Sequence, residues 1–125
     1  MATPPLSNGR NFGGNMAISQ SYLDWVLEIL NEAHPASRVT ARRMFGGAGL
    51  YCEGVFFALI AEDTLYFRVG AANRADFEAA GCHAFTPFPN RPAMPYFDVP
   101  AHVLEDEAEL RTWLDKALTA ARLKA

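Results

Sequence analysis

The hydrophobic positions of the chain change their period once, near residue 39. From Ser19 to His34 they recur at the spacing of one helical face, with polar residues on the other side. The apolar face of this predicted helix consists of Tyr22, Trp25, Val26, Ile29, Leu30 and Ala33. Pro35 disfavours helical geometry at the residue before it, so the helix is predicted to end at His34.

The next part of the chain has the pattern of short strands separated by turn residues. The predicted strands, rich in β-branched and aromatic residues, are Val39–Phe45, Leu50–Cys52, Val55–Ala61 and Thr64–Val69. Glu53-Gly54 and Glu62-Asp63 are short enough for tight hairpin turns, which predicts an antiparallel meander. The third of these strands shows no alternation, so we expect a central strand covered on both faces.

The third quarter of the chain predicts a short helix followed by two irregular strands. The helix spans Asn73–Ala80, with Asn73 as its N-cap and Gly81 ending it in a left-handed conformation. The strands, Ala84–Phe88 and Met94–Val99, contain prolines that cannot donate to a ladder. Both are therefore predicted to be edge strands.

A closing helix completes the predicted fold. It runs from about Glu107 to Leu123, and Asp106 with Glu109 forms a plausible capping box at its start. The elements follow in the order α-β(3-4)-α-β(2)-α. That order predicts an α+β domain in which helices pack on an antiparallel sheet.

Composition bounds the class of protein. The chain has 125 residues, half of them apolar, which suits one domain with a core of its own. A net charge of −3 argues against a broad nucleic-acid footprint. Residues 1–15 are rich in Pro, Gly, Asn and Ser, so we predict a disordered leader before a domain at 16–125, with Met16 as an alternative start.

Targeting and cysteine patterns indicate a cytoplasmic protein. The beginning of the chain lacks the basic start and apolar core of a signal peptide, and the apolar run Val55–Ala61 is too short to span a bilayer. Cys52 and Cys82 belong to no CxxC pair and to no zinc-type spacing, so we expect free thiols, no metal and no cofactor.

The glycine-rich stretch Gly46-Gly47-Ala48-Gly49 is the most unusual motif. A phosphate loop fails on context, because neither Lys-Ser/Thr nor a helix follows. The remaining interpretations are a turn, bulge or tight packing site, or a surface for a partner. Arg42 and Arg43, just before it, are adjacent on a predicted strand and so point to opposite faces.

Catalytic chemistry is not indicated. The three histidines are scattered, and we see no paired carboxylates on a periodic face, so the chain is predicted not to be an enzyme. Tyr96-Phe97, Phe85 and Phe88 lie among five prolines. They predict either packing beneath the closing helix or a docking edge for another chain.

Several segments together resemble the N-terminal domain of the TfoX/Sxy family. They are Arg42-Arg43-Met44-Phe45-Gly46-Gly47-x-Gly49-Leu50-Tyr51, Gly54-Val55-x-Phe57-Ala58-Leu59-Ile60 and Leu65-Tyr66-Phe67-Arg68-Val69, continued by Asn73-Arg74-x-x-Phe77, Met94-x-Tyr96, Val99-Pro100 and Leu104-Glu105-Asp106. The resemblance covers about Tyr22 to Ala121. It implies a secretion-chaperone-like α+β fold and a stand-alone domain, without the C-terminal domain of fuller members.

The resemblance also carries a functional expectation. Fuller members of the family are transcriptional coactivators of natural competence that work with the cyclic-AMP receptor protein, and they are not known as enzymes. We therefore expect a small interaction module with a protein partner, such as a transcription factor, and consider a homodimer. The alternatives are direct DNA binding, which the net charge disfavours, and a small-molecule binder or enzyme. The candidate partner-binding residues are Arg42, Arg43, Met44, Phe45, Gly46, Gly47 and Tyr96.

Overall fold

The computed structural model describes residues 19–44, 46–87 and 90–123. The helices are α1 (Gln20–Ala33), α2 (Arg74–Ala79), α3 (Ala101–Leu104) and α4 (Glu107–Leu123). The strands are β1 (Val39–Met44), β2 (Gly47–Cys52), β3 (Val55–Ala61), β4 (Thr64–Arg68), β5 (Ala84–Phe85) and β6 (Met94–Asp98). The predicted α+β class and the order of the main elements are confirmed. The predicted leader lies outside the described residues.

The six strands form one antiparallel sheet in the order β1-β2-β3-β4-β6-β5. The β2–β3 and β3–β4 hairpins are closed by the predicted two-residue turns. Glu53, Gly54, Glu62 and Asp63 all have positive φ, between 52° and 76°. Such turns match the right-handed twist of the flanking strands.

All four helices contribute to a core on one face of the sheet. The largest cluster of buried residues joins α1, Phe77 of α2, Val103 of α3 and the apolar stripe of α4 to one side of the strands. The other side of the sheet carries a separate cluster made only of strand residues, centred on Leu59, Ala61 and Tyr96. The sheet therefore has a helix-covered face and a second face, called the open face below.

Helix α1 begins and ends as predicted. Ser19 accepts a hydrogen bond from the backbone N–H of Tyr22, and the backbone N–H of His34 closes the last turn on Leu30. At α4, Asp106 accepts from the backbone N–H of Glu109, as the predicted cap requires.

Two strand predictions were wrong in detail. Strand β2 begins at Gly47 rather than Leu50, so Gly47 and Gly49 lie inside the ladder. Strand β6 is not an edge, because it pairs with β4 on one side and β5 on the other. Pro95 is accommodated there because the register between β5 and β6 is irregular next to it, and its carbonyl still accepts from Val69.

Two further details correct the helical predictions. The side chain of Asn73 does not cap α2. It is buried, where its Oδ1 accepts a hydrogen bond from the backbone N–H of Gly70 and its Nδ2 donates to the carbonyl of Arg68. These two bonds hold the loop between β4 and α2 in place. Helix α3 was not predicted, since four residues are too few to show a period. Of the helices in the described part of the chain, none is both long and apolar enough to cross a bilayer.

Candidate functional site

A groove with a volume of about 300 Å³ lies on the open face. Its lining is almost wholly apolar: Met44, Gly47, Ala48, Phe56, Leu59, Ile60, Ala61, Phe85, Pro87 and Met94. Two stretches that are far apart in the sequence meet here. The segment around Met44 forms one side, and the proline-containing β5–β6 hairpin forms the other, with β3 between them.

The β5–β6 hairpin reaches this position by folding over the open face. The ring of Phe85 on β5 lies 4.9 Å from the ring of Tyr66 on β4, although β6 runs between these two strands. On the helix-covered face Phe97 of β6 packs on Phe77, with ring centroids 5.9 Å apart. The hairpin is therefore anchored on one face while it forms a wall of the groove on the other.

A row of aromatic rings crosses the open face beside the groove, with an arginine at each end; we call it the aromatic row. Tyr51 stacks on Phe56 with ring centroids 5.3 Å apart, and Phe56 meets Tyr96 at 5.7 Å. The guanidinium of Arg42 lies 5.9 Å from the Tyr51 ring, and that of Arg68 lies 5.7 Å from the Tyr96 ring. Arg42 and Tyr96 were predicted as site residues, but the row that joins them was not.

Burial controls the chemistry of this row. It raises the pKa of the Tyr96 hydroxyl, while the neighbouring Arg68 opposes the shift. Burial likewise raises the pKa of Tyr66. A phenol is neutral at physiological pH even without such a shift, so the charge of the row comes from its arginines.

The arginines at the ends of the row are not neutralised within the described residues. No carboxylate lies within ion-pairing distance of Arg42 or Arg68 there, and the Nε of Arg68 is buried without a hydrogen-bond acceptor. Arg43 points to the helix-covered side, where it donates to Gln20 Oε1 at 2.6 Å. Arg42 and Arg43 thus lie on opposite faces, as predicted, and both are exposed.

Gly46 and Gly49 of the glycine-rich motif have structural roles, one in a turn and one beneath the groove. Gly46 adopts a left-handed conformation with φ of 79° in the turn after β1. A Cβ on Gly49 would lie 2.7 Å from Met44 Cε and 2.9 Å from Phe56 Cε1. Gly49 therefore allows a groove residue and a ring of the aromatic row to close over it.

A cysteine–histidine–carboxylate arrangement exists, but its geometry does not suit a nucleophile. Cys52 Sγ lies 4.0 Å from His34 Nδ1, and His34 Nε2 lies 3.6 Å from Asp115 Oδ1. However, His34 Nδ1 is 3.2 Å from the carbonyl oxygen of Ser37, which only accepts. When Nδ1 carries the proton that this hydrogen bond requires, it cannot take one from the thiol.

The surroundings of Cys52 lead to the same conclusion. The side chain is fully buried, and burial raises the pKa of its thiol. The groove is lined by neither cysteine. In the described part of the chain no three potential metal ligands come together.

The predicted partner-binding residues that the structure describes fall in four places. Met44 and Gly47 line the groove, and Arg42 and Tyr96 belong to the aromatic row. Gly46 lies in the turn beside the groove, while Arg43 points away from it. The predicted contribution of Phe45 lies outside the described residues, as does that of Phe88 in the proline-rich edge.

Sequence reasoning missed the floor of the groove. Leu59 and Ala61 on β3 were assigned to a strand covered on both faces, because the strand shows no alternation. Their cover is the folded hairpin rather than a helix. The run of prolines and aromatics after residue 84 was the available signal, but it does not reveal which face the hairpin folds over.

Comparisons with known proteins identify the family. The model of the TfoX N-terminal domain matches residues 31–121. The "DNA transformation protein TfoX1" of Aliivibrio fischeri (strain ATCC 700601 / ES114) is 34% identical over 98 residues, which are 77% of this chain and 47% of that relative. The chain therefore spans about half the length of the curated relative it matches. The matched region includes every element that forms the groove and the aromatic row, and the chain belongs to the TfoX N-terminal domain family.

Proposed function

We propose that the chain is a non-enzymatic regulator of the competence type, acting as a transcriptional coactivator through contacts with another protein. The relative of Aliivibrio fischeri is called a DNA transformation protein, which supports a role connected with DNA uptake. The observation that carries the protein-contact part is the apolar groove on a sheet face that no helix of the described chain covers.

The chemistry of the groove favours a protein segment as its occupant. An apolar groove bordered by aromatic rings takes up a large apolar side chain, which is how extended or helical segments anchor on a folded domain. Arg42 and Arg68 lack acidic partners in the described residues, so they favour acidic residues on either side of that anchor. The occupant is therefore an apolar side chain in an acidic segment of a partner, such as a transcription factor.

The aromatic row is less suited to direct DNA contact. Single strands bind by stacking bases on free ring faces, yet the faces of Tyr51 and Phe56 are turned towards each other at an interplanar angle of 28°. Duplex binding depends on many phosphate contacts from clustered Lys and Arg, and the chain carries a net charge of −3.

Complementation in the native host tests the proposal. Cells lacking the gene are supplied with the wild-type chain, with Met94→Glu or with Leu123→Glu, and transcripts of DNA-uptake genes are measured. Met94 and Leu123 are large apolar residues, 39% and 68% exposed, but only Met94 lines the groove. The wild type and Leu123→Glu should restore transcription, and Met94→Glu should not.

Two results would overturn the proposal. Transcript levels that do not depend on the chain would remove the regulatory role. A micromolar affinity of the purified chain for duplex DNA that falls steeply with salt would replace the protein contact by direct DNA binding.

A further inference from the structure

At one position of the outer edge of β1, a side chain makes the hydrogen bonds that a neighbouring strand would make. Asn31, on α1, lies beside the first residue of β1. The backbone N–H of Val39 donates to Asn31 Oδ1 at 2.8 Å, and Asn31 Nδ2 donates to the Val39 carbonyl at 3.1 Å. The side-chain amide thus makes the two bonds that a residue of a neighbouring antiparallel strand would make.

These bonds fix the direction of the other backbone groups of β1. In an antiparallel strand the N–H and C=O of one residue point to the same side, and this side alternates from residue to residue. Since Val39 points outwards, Ala41 and Arg43 also point outwards, whereas Thr40 and Arg42 point to β2. No hydrogen bond joins the backbone of Ala41 or Arg43 to another segment among the residues that the structure describes.

The free edge lies directly beside the groove. Among the residues that the structure describes, β1 is the first strand of the sheet and pairs with β2 alone, on its inner side. Arg42 and Met44 share the open face, and Met44 lines the groove. A strand added at this edge would place every second side chain on the open face, opposite Arg42 and then opposite Met44.

The positive charge of Arg42 and Arg43 determines which kind of strand fits the outer edge of β1. If a second copy added its β1 so that the outward groups of Ala41 paired with those of Arg43, the two copies of Arg42 would stand directly opposite each other. Like charges in that position destabilise a strand pair. Arg42 and Arg43 are both exposed and have no carboxylate partner in the described residues, so they suit a strand with acidic side chains on both faces.

We propose that the outer edge of β1 takes an extended acidic segment of the partner protein as a seventh strand of the six-stranded sheet. An acidic residue lies opposite Arg42, and an apolar residue two positions before it lies opposite Met44 at the mouth of the groove. The proposal rests on the proposed function, and it adds the binding mode and the sequence character of the partner segment.

A set of synthetic peptides tests this binding mode. In the peptide Thr-Thr-Leu-Glu-Glu-Val-Thr-Thr, paired antiparallel to β1, Leu lies opposite Met44, the two Glu opposite Arg43 and Arg42, and Val opposite Ala41. N-methylation of the first Glu and of Val removes the N–H groups that face β1. N-methylation of Leu and of the second Glu is the matched control, because those N–H groups face away.

Binding is followed by NMR with the isotope-labelled chain. We expect the unmodified peptide to slow the hydrogen exchange of the Ala41 and Arg43 amides, while those of Thr40 and Arg42 are protected already. The facing N-methyl groups should weaken binding by about tenfold to a hundredfold, for the loss of two hydrogen bonds, and the control should change it little. Replacing the second Glu by Lys should weaken binding to the wild type and restore binding to Arg42→Glu.

The outcomes separate this proposal from the proposed function. Two outcomes overturn the edge proposal and leave the groove contact standing. In the first, the peptides shift the resonances of Leu59 and Phe56, but the two N-methylated forms bind equally well. In the second, none of the peptides binds, although Met94→Glu abolishes complementation. Protection of Ala41 and Arg43 that rises with protein concentration alone would assign the edge to a second copy and overturn the acidic segment. Peptide binding to the edge in the absence of any transcriptional effect would overturn the proposed function only.

Discussion

Phe77 is the residue through which the small helix α2 is attached to the core, and its ring also packs on strand β6. Its side chain is fully buried, and it is the only buried residue that α2 contributes. Its ring centroid lies 4.7 Å from that of Trp113, in an edge-on geometry, and 5.9 Å from that of Phe97. The replacement Phe77→Ala therefore removes the shared contact of α2, α4 and β6.

The expected loss follows from this burial. Truncating a fully buried Phe costs about 3–5 kcal/mol in the free energy of unfolding, and the two ring contacts favour the upper half of that range. Helix α2 has six residues and no side-chain N-cap, so it cannot form without its anchor. The Lys116–Asp76 ion pair, at 2.8 Å, does not replace it, because both side chains are at least a third exposed.

Urea denaturation followed by circular dichroism measures this loss. Phe77→Leu keeps most of the apolar volume but loses the two ring contacts, so it should cost about 1–2 kcal/mol, clearly less than the Ala replacement. Glu78→Ala is the control on the same helix: its side chain is 60% exposed, and the change should stay within about 0.5 kcal/mol. If Phe77→Ala unfolds within about 1 kcal/mol of the wild type, the attachment of α2 and of the groove wall through this ring is refuted.

Three further predictions concern other parts of the molecule. Asn31→Ala leaves the outward N–H and C=O of Val39 without their partner and should cost about 1–3 kcal/mol by urea denaturation. Burial raises the pKa of Cys82 to about 11, so its alkylation near neutral pH should be on the order of 100-fold slower than that of a free thiol. Cys52 is buried and should stay unlabelled, and mass spectrometry of the alkylated native chain measures both. Burial raises the pKa of Tyr22 from 10.0 to about 12, so this hydroxyl ionises at a lower pH in the unfolded chain than in the folded one. The free energy of unfolding should therefore fall as the pH rises from about 10 to about 12, and alkaline denaturation should show a smaller fall for Tyr22→Phe.

The hairpins could be predicted because local chemistry decides them. Two-residue connections such as Glu53-Gly54 select turns with positive φ, whatever the strands later pack against. The position of β6 could not be predicted in this way. Proline argues for an edge, and only the tertiary pairing shows that an irregular register next to Pro95 lets another strand cover this side.

The candidate site was predictable in its parts but not in its assembly. The Arg42 to Gly49 motif and the proline-rich hairpin stand out in the sequence, and 34 residues lie between Gly49 and Ala84. Their meeting depends on the hairpin folding over the open face, as the contact between Phe85 and Tyr66 shows. The same holds for Asn31, whose role at the edge of β1 depends on the packing of α1 beside that strand.

The proposed contact between the groove on the open face and a partner protein is tested most directly at Met94, which lines the groove. A photo-crosslinking residue at position 94 in living cells identifies a neighbour by mass spectrometry, and the affinity of that purified protein for the wild type, Met94→Glu and Leu123→Glu is then measured by calorimetry. We expect Met94→Glu to weaken binding by at least about tenfold and Leu123→Glu to change it by less than about twofold. Equal affinities of all three chains, or an equal loss in both variants, would contradict it.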